Sequence, residues 1–303
     1  MAMLTRREFG KLALAAGVVQ LKPDPTIEGA AVDDAGPDSK VTSVRLGVQT
    51  YSFRDLPRID GDAITPAIQA MSACGLTDCE LYSPQDEPAG LPREEIRRWR
   101  LATPLDHFRL VRRRFNAAGI TIYAYNYSPK ADFSDAEIDR GFEMAKALGA
   151  QIITASTTLE VAKRIKPIAE KHRMIVAMHG HSNTSDPNEF ATPDSFAAAL
   201  RMSRYFKVNL DIGHFTAAGF DSVAYIREHH ADITNLHIKD MLRRRPDSYV
   251  PWGDGDTPIR DVLQLLKREG WPIRAYLEYE YPGAGTPVEE VKKCFAYAKQ
   301  ALV

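Results

Sequence analysis

Met174-Ile-Val-Ala-Met-His-Gly-His181 is an apolar run that ends in two histidines, and three later runs share its plan. They are Phe206-Lys-Val-Asn-Leu-Asp-Ile-Gly-His214, Ile233-Thr-Asn-Leu-His-Ile-Lys-Asp240 and Ile273-Arg-Ala-Tyr-Leu-Glu-Tyr-Glu280. Each starts as a buried strand and finishes in ionisable groups. Catalytic groups collect at the C-terminal ends of parallel strands, so the four runs read as one active site built from four strands. Imidazole and carboxylate together are the ligand set of a divalent transition metal.

Working outward, short apolar runs alternate with helical stretches eight times from Val44 onward. The predicted strands are Leu46–Phe53, Asp78–Ser83, Thr121–Tyr127, Gln151–Ser156, Met174–His181, Lys207–His214, Thr234–Asp240 and Arg274–Tyr281. The predicted helices are Ala63–Cys74, Leu105–Ala118, Asp135–Leu148, Leu159–His172, Asp194–Ser203, Asp221–His229, Ile259–Glu269 and Val288–Ala301. Glycines 75, 119, 149 and 270 suit left-handed C-caps, and Thr192-Pro193 and Thr286-Pro287 suit first turns. Eight strand–helix units on this length give an α/β protein, a single-domain (β/α)8 TIM barrel. A doubly wound sheet would carry a glycine-rich loop after its first strand, and Gly47-Val-Gln-Thr-Tyr-Ser52 has none.

The first 40 residues read differently. Thr5-Arg-Arg-Glu-Phe-Gly-Lys11 precedes an apolar run too short to span a bilayer, and it looks like a twin-arginine export signal. A Pro/Asp/Gly/Ala-rich linker follows to Lys40, with Glu28-Gly-Ala-Ala31 the weak candidate for cleavage. The expectation is therefore a signal segment and linker over 1–40, a barrel over 41–303 and a periplasmic enzyme with no stable membrane span. The formal net charge of -1 and the lack of a long basic run give no footprint for nucleic acid. Arg243-Arg-Arg245 reads as a solvated loop. Cys74, Cys79 and Cys294 show neither metal-type spacing nor a disulfide framework and read as packing residues. A homo-oligomer is left open.

Strand periodicity orients the site. His179 and His181 share a face, and Val176, Met178 and Gly180 supply the other, apolar one, so the histidines point inward. Asp211, ending an apolar strand, must be paired or metal-bound. His214 lies just beyond, where it can orient substrate or face solvent. His237 and Lys239 share a face; an inward Lys239 suits an anionic or hydroxyl-rich substrate or a developing oxyanion, or else pairs with Asp240 or another carboxylate. Glu278, deeper than Glu280, is the expected ligand; Glu280 is expected behind the ligands or as an acceptor for substrate, and either glutamate is a candidate to move a proton opposite the histidine base. Glu80 ends the second strand and could reach the cavity. Trp252, beside Gly253-Asp-Gly-Asp-Thr-Pro258, is placed at the site mouth. Tyr51, Tyr82, Tyr123, Tyr125 and Tyr127 suit sugar faces or simple packing. His107, His172, His229 and His230 fall on helical surfaces and carry no assigned chemistry.

With those residues in view, the chain resembles the xylose-isomerase-like barrel superfamily, the sugar isomerase and epimerase group, over roughly residues 44–303. Leu210-Asp-Ile-Gly-His214, Leu236-His-Ile-Lys-Asp240, Gly253-Asp-Gly-Asp256 and Leu277-Glu-Tyr-Glu280 carry the resemblance. It implies a divalent metal, manganese before zinc, cobalt or iron, held by a Glu, an Asp, a His and a Glu on strands five to eight. Asp211, His237 and Glu278 match the last three. On strand five the glutamate is replaced within His179-Gly-His181. His179 is the favoured fourth ligand, with His181 the alternative, and the histidine left free is the expected base. The resemblance implies a carbohydrate substrate and an isomerase or epimerase working through an enediolate. The missing glutamate leaves two rivals: a lyase that cleaves 3-keto-glycosides by elimination, and a non-catalytic sugar-binding barrel.

Overall fold

The computed structural model describes residues 39–303, and in it each apolar run forms one strand of a closed parallel sheet. The export-like segment and most of the expected linker lie outside the described residues. The strands are β1 (Val44–Gln49), β2 (Asp78–Tyr82), β3 (Thr121–Asn126), β4 (Ile152–Ala155), β5 (Ile175–His179), β6 (Phe206–Asp211), β7 (Ile233–Ile238) and β8 (Arg274–Leu277). Neighbours pair in sequence order, and β8 returns to β1 through Ala275↔Leu46 and Leu277↔Val48, which closes the barrel. Ser39 is buried with its hydroxyl donating to the Leu46 carbonyl at 2.6 Å, and Lys40–Val41 pairs antiparallel onto β1.

The helices are α1 (Ile64–Cys74), α2 (Arg93–Ala102), α3 (Leu105–Ala117), α4 (Asp135–Leu148), α5 (Leu159–His172), α6 (Pro193–Met202), α7 (Ile212–Ala217), α8 (Ser222–His229), α9 (Ile259–Glu269) and α10 (Pro287–Leu302). Capping boxes start α4 at Ser134, α6 at Thr192 and α10 at Thr286, so their first-turn N–H groups are satisfied. Outward strand residues such as Leu46, Val48, Val176, Met178 and Leu210 share one core with the helices. A small second cluster of Tyr123, Ala124, Ile152, Ala177 and Tyr276 fills the floor of the barrel. All three cysteines are buried and free.

Two helices are additions to the sequence reading. α2 has too few apolar residues to show periodicity; Arg93, Arg97 and Arg100 instead surround the buried Glu137 of α4 at 2.9, 3.0 and 3.5 Å. α7 begins directly where β6 ends, because Asp211 caps it by accepting the His214 N–H at 2.8 Å. The strands also stop earlier than expected. β1 yields to a 3₁₀ turn, Thr50–Phe53, whose Tyr51 N–H is held by Gln49 Oε1 at 3.0 Å.

Candidate functional site

Inward residues stack in layers along the barrel axis. On β2, Asp78 sits at the floor, Glu80 one layer up and Tyr82 at the rim, because positions i and i+2 share a face. The floor is sealed: Asp78 accepts from Tyr276 Oη at 2.5 Å and Arg274 Nε at 3.2 Å, and the Arg274 guanidinium lies 3.5 Å from the Tyr123 ring centroid.

Above it lies a polar layer with Glu80 at its hub. Glu80 is fully buried and accepts from Gln49, Asn126, Asn209, Asn235 and His237. It therefore does not reach the cavity, and the expected contact with substrate is corrected. Its donors are spread around the barrel and enclose it.

Higher still, at the C-terminal mouth, is a cavity of about 290 Å³. His179, His181, His214, His237, Lys239, Glu278 and Glu280 line it. Gly180 is required between the two histidines: a Cβ there would meet the Phe196 ring at 2.7 Å and the Phe190 carbonyl at 2.8 Å. The four histidine rings form a cluster, with centroids 4.6 Å apart for His179–His237, 5.0 Å for His179–His181 and 5.3 Å for His181–His214. Lys239 lies 3.0 Å from Asp211 Oδ2 and 2.9 Å from Glu278 Oε2, and donates to Glu280. Asp240 is not its partner. It accepts instead from the backbone N–H groups of Gly253, Gly255 and Thr257 at 2.8, 3.1 and 3.1 Å.

That anchored loop decides a second correction. It brings Tyr249, not Trp252, to the mouth, where Tyr249 meets His214 edge-on at 5.9 Å. Trp252 lies in a separate cleft against Tyr297. Of the early tyrosines, Tyr51 and Tyr82 line the cavity, Tyr123 belongs to the floor, and Tyr125 and Tyr127 stack in the outer core. Sequence reasoning missed Gln49, Asn126, Ser128, Lys130, Ser156 and Tyr249 among the lining residues. Gln49 and Asn126 were detectable as polar residues ending apolar strands. The others sit on loops whose paths have no local signature.

Burial lowers His179 well below the usual imidazole range, and His237 and His181 add to this. Burial likewise takes His214 down to about 3. Both rings are neutral at ordinary pH and keep a lone pair for a metal. Burial opposes the charge on Lys239, but the carboxylates of Asp211, Glu278 and Glu280 raise it well above its usual value. Burial opposes the carboxylate of Glu278 too, yet His237 and Lys239 hold it well below the usual range.

The chemistry of the donor set tests whether a metal fits. His179 Nδ1, Asp211 Oδ2, His237 Nδ1 and Glu278 Oε2 are buried and make no well-formed hydrogen bond. Ligand atoms of His179, Asp211 and His237 lie within 4.8 Å of one another, as do those of His179, His181 and His214. Three of these atoms have charged neighbours, Lys239 Nζ beside Asp211 Oδ2 and Glu278 Oε2, and His237 Nδ1 beside Glu278 Oε2; a buried cluster of imidazole and carboxylate ligand atoms fits a divalent ion.

A closed (β/α)8 barrel with a polar, ligand-rich mouth thus defines the class. The chain belongs to the xylose isomerase-like TIM barrel family, whose profile matches residues 68–300. No curated protein matches the sequence. Solved structures with the same fold include an uncharacterised protein of Parabacteroides distasonis, 23% identical with TM-score 0.59, covering 84% of this chain and 98% of that one. A sugar phosphate isomerase/epimerase of the same organism is 17% identical with TM-score 0.58, covering 83% and 92%. A probable 3-DHS dehydratase of Bacillus anthracis is 17% identical with TM-score 0.61, covering 83% and 98%. Among the described residues no helix is long and apolar enough to cross a membrane.

Proposed function

We propose that this protein is a divalent-metal-dependent enzyme that moves a proton next to the carbonyl of a non-phosphorylated sugar or polyol, as an isomerase or epimerase. The observation that carries this reading is the gathering of metal-ligating atoms at the mouth of the barrel: those of His179, Asp211 and His237 lie within 4.8 Å of one another, and Glu278 Oε2 lies 2.8 Å from His237 Nδ1. These four residues would hold the ion. Manganese is the proposed identity, and the mixed nitrogen and oxygen set also suits zinc, cobalt or iron. When bound, the ion would polarise the substrate carbonyl.

The remaining groups have separate tasks. His181 is half-exposed in the cavity, with Nε2 3.1 Å from Ser156 Oγ and Nδ1 3.7 Å from Glu189, which holds the ring in place. It is the proposed base at Nε2. Glu280, across the cavity beside Lys239, is the partner that returns a proton from the other side. Lys239 stabilises developing negative charge on substrate oxygen. Tyr51 and Tyr82, edge-to-face at 5.0 Å, present an aromatic wall to a sugar ring. Lys130, which donates to the Ser156 carbonyl, and Lys239, engaged by carboxylates, line the cavity, and among the described residues no arginine does; the export-like segment is what supports an unphosphorylated substrate.

A lyase acting by elimination is the second reading. It is favoured by His179 standing where the family's strand-five carboxylate is expected, since elimination needs one base rather than a carboxylate on each face. The export-like segment at residues 5–11 supports a periplasmic location. Arg6→Lys with Arg7→Lys should keep the protein in the cytoplasm, and normal export of that variant would refute the location.

The test of the function is metal analysis of purified protein with and without chelator, followed by a panel of keto-sugars and 3-keto-glycosides in deuterated water. Metal-dependent exchange of a substrate proton is expected. Isomeric product identifies the isomerase, and a released leaving group the lyase. Sugar binding without metal or exchange would leave a non-catalytic binding barrel.

A further inference from the structure

Glu80 accepts hydrogen bonds from five side chains inside the barrel, yet it does not line the mouth cavity. Gln49 Nε2 at 2.7 Å and Asn126 Nδ2 at 3.1 Å donate to one oxygen. Asn235 Nδ2 at 2.9 Å, Asn209 Nδ2 at 3.4 Å and His237 Nε2 at 3.0 Å face the other. These donors come from β1, β3, β6 and β7. Burying a carboxylate is costly even when it is well paired, and four amides alone would be satisfied by a neutral acceptor. The imidazole is the partner that distinguishes a carboxylate from an amide.

The ring nitrogens of His237 face different groups. Nδ1 lies 2.8 Å from Glu278 Oε2, on the side of the unpaired ligand atoms. Nε2 lies near both Glu80 Oε2 and the Asn209 amide nitrogen, the latter at 3.1 Å. If Nε2 carried the lone pair it would accept from Asn209, but it would also point that lone pair at a carboxylate oxygen 3.0 Å away, which is repulsive. If Nε2 carries the proton, it donates to Glu80, and Asn209 also donates to Glu80. Every donor at Nε2 then has an acceptor, while Nδ1, 2.8 Å from Glu278 Oε2, points its proton at that carboxylate when no metal is bound; with a metal on that side Nδ1 would hold the lone pair and the Nε2–H bond to Glu80 would remain.

We infer that Glu80 is a positioning residue: it holds His237 as the Nε2–H tautomer and so presents Nδ1 to the metal. A carboxylate behind a ligating histidine fixes its tautomer and orientation, and loss of such a partner typically weakens metal affinity by about 10–100-fold. This inference rests on the metal reading proposed above.

The experiment titrates the chelator-treated full-length protein with Mn²⁺ by calorimetry, comparing wild type, Glu80→Gln and Asp78→Asn. The last disturbs a buried carboxylate of the floor that does not line the mouth. Glu80→Gln should weaken Mn²⁺ binding by about 10–100-fold and alter the Co²⁺ absorption spectrum. Asp78→Asn should lower the melting temperature but leave the affinity near wild type. Unchanged Mn²⁺ affinity in Glu80→Gln overturns the inference, as does an equal loss in Asp78→Asn, which would show general loosening. Should Glu80→Gln not fold, ¹⁵N spectra of the histidine rings in the Zn²⁺-loaded wild type decide the matter. The His237 signal, assigned by its loss in His237→Gln, must show a proton on Nε2, and a proton on Nδ1 overturns the inference. If wild type binds no Mn²⁺, the metal reading itself fails and takes this inference with it. Wild-type binding with unchanged Glu80→Gln affinity defeats this inference alone.

Discussion

The floor and the mouth of this barrel are built from the same inward positions of the same strands, and they handle buried charge in opposite ways. At the floor, Asp78 has Arg274 and Tyr276 as partners, and the Tyr123 ring lies against the guanidinium. At the mouth, His179, Asp211, His237 and Glu278 each leave an atom without a well-formed hydrogen bond. Glu80 lies between them and is fully satisfied. The gradient along β2 and its neighbours runs from groups that serve the fold to groups of metal-ligating type.

The sharpest break in this comparison comes from the two histidines of the mouth. His179→Gln should mainly lose metal, measured by metal content after dialysis. His181→Gln should keep metal and lose solvent-proton exchange by about 10²–10⁴-fold. If both variants retain metal and most of their activity, the mouth is only another structural layer and the contrast with the floor disappears.

The converse experiment is on the floor. Asp78→Asn leaves Arg274 without its carboxylate, and breaking a buried pair of this kind destabilises by about 3 kcal/mol. Arg274 is partly exposed, so the lower end of the usual range applies. Urea unfolding should register the loss, while Mn²⁺ affinity stays near wild type. A large drop in metal affinity would mean that the floor and the mouth are one unit.

Much of this was readable from the chain because barrel periodicity is strict. Eight alternating units gave the fold, and ionisable groups at the ends of β5 to β8 marked where the cavity would be. What escaped detection depended on geometry with no local code. Glu80 looked like a rim residue because sequence does not reveal how deep a strand position falls once the barrel staggers. His214 looked like a loop residue because the capping bond from its N–H to Asp211, which starts α7, involves a side chain already assigned another task. Trp252 was preferred to Tyr249 because the loop's path is set by three backbone N–H groups on Asp240. That correction can be tested directly. Tyr249→Ala should raise KM by about fivefold, in line with an aromatic contact worth about 1 kcal/mol. Trp252→Phe should leave kcat/KM unchanged, and a larger effect at Trp252 would return it to the mouth.

The smallest expected effect concerns a charge that is satisfied as completely as the floor's, but in the outer layer. Glu137 is buried on α4, where it receives Arg93 and Arg97 and closes the capping box with Ser134. Burial alone would raise its pKa, but the Arg93 hydrogen bond, the Ser134 N–H and Arg97 hold it below the usual carboxylate range. A carboxylate depressed in the folded state binds its proton more weakly there than in the unfolded chain. Its contribution to stability is therefore fully present above the unfolded pKa of about 4.3 and is lost as pH falls through the lower folded value. Between about pH 5 and pH 3, wild type should lose stability more steeply than Glu137→Gln, by up to about one proton per molecule in the linkage slope. The measurement is urea midpoints at closely spaced pH values. Parallel slopes for the two proteins would show that Glu137 titrates alike in both states, and that its arginine partners, unlike those of the floor, add geometry without stability.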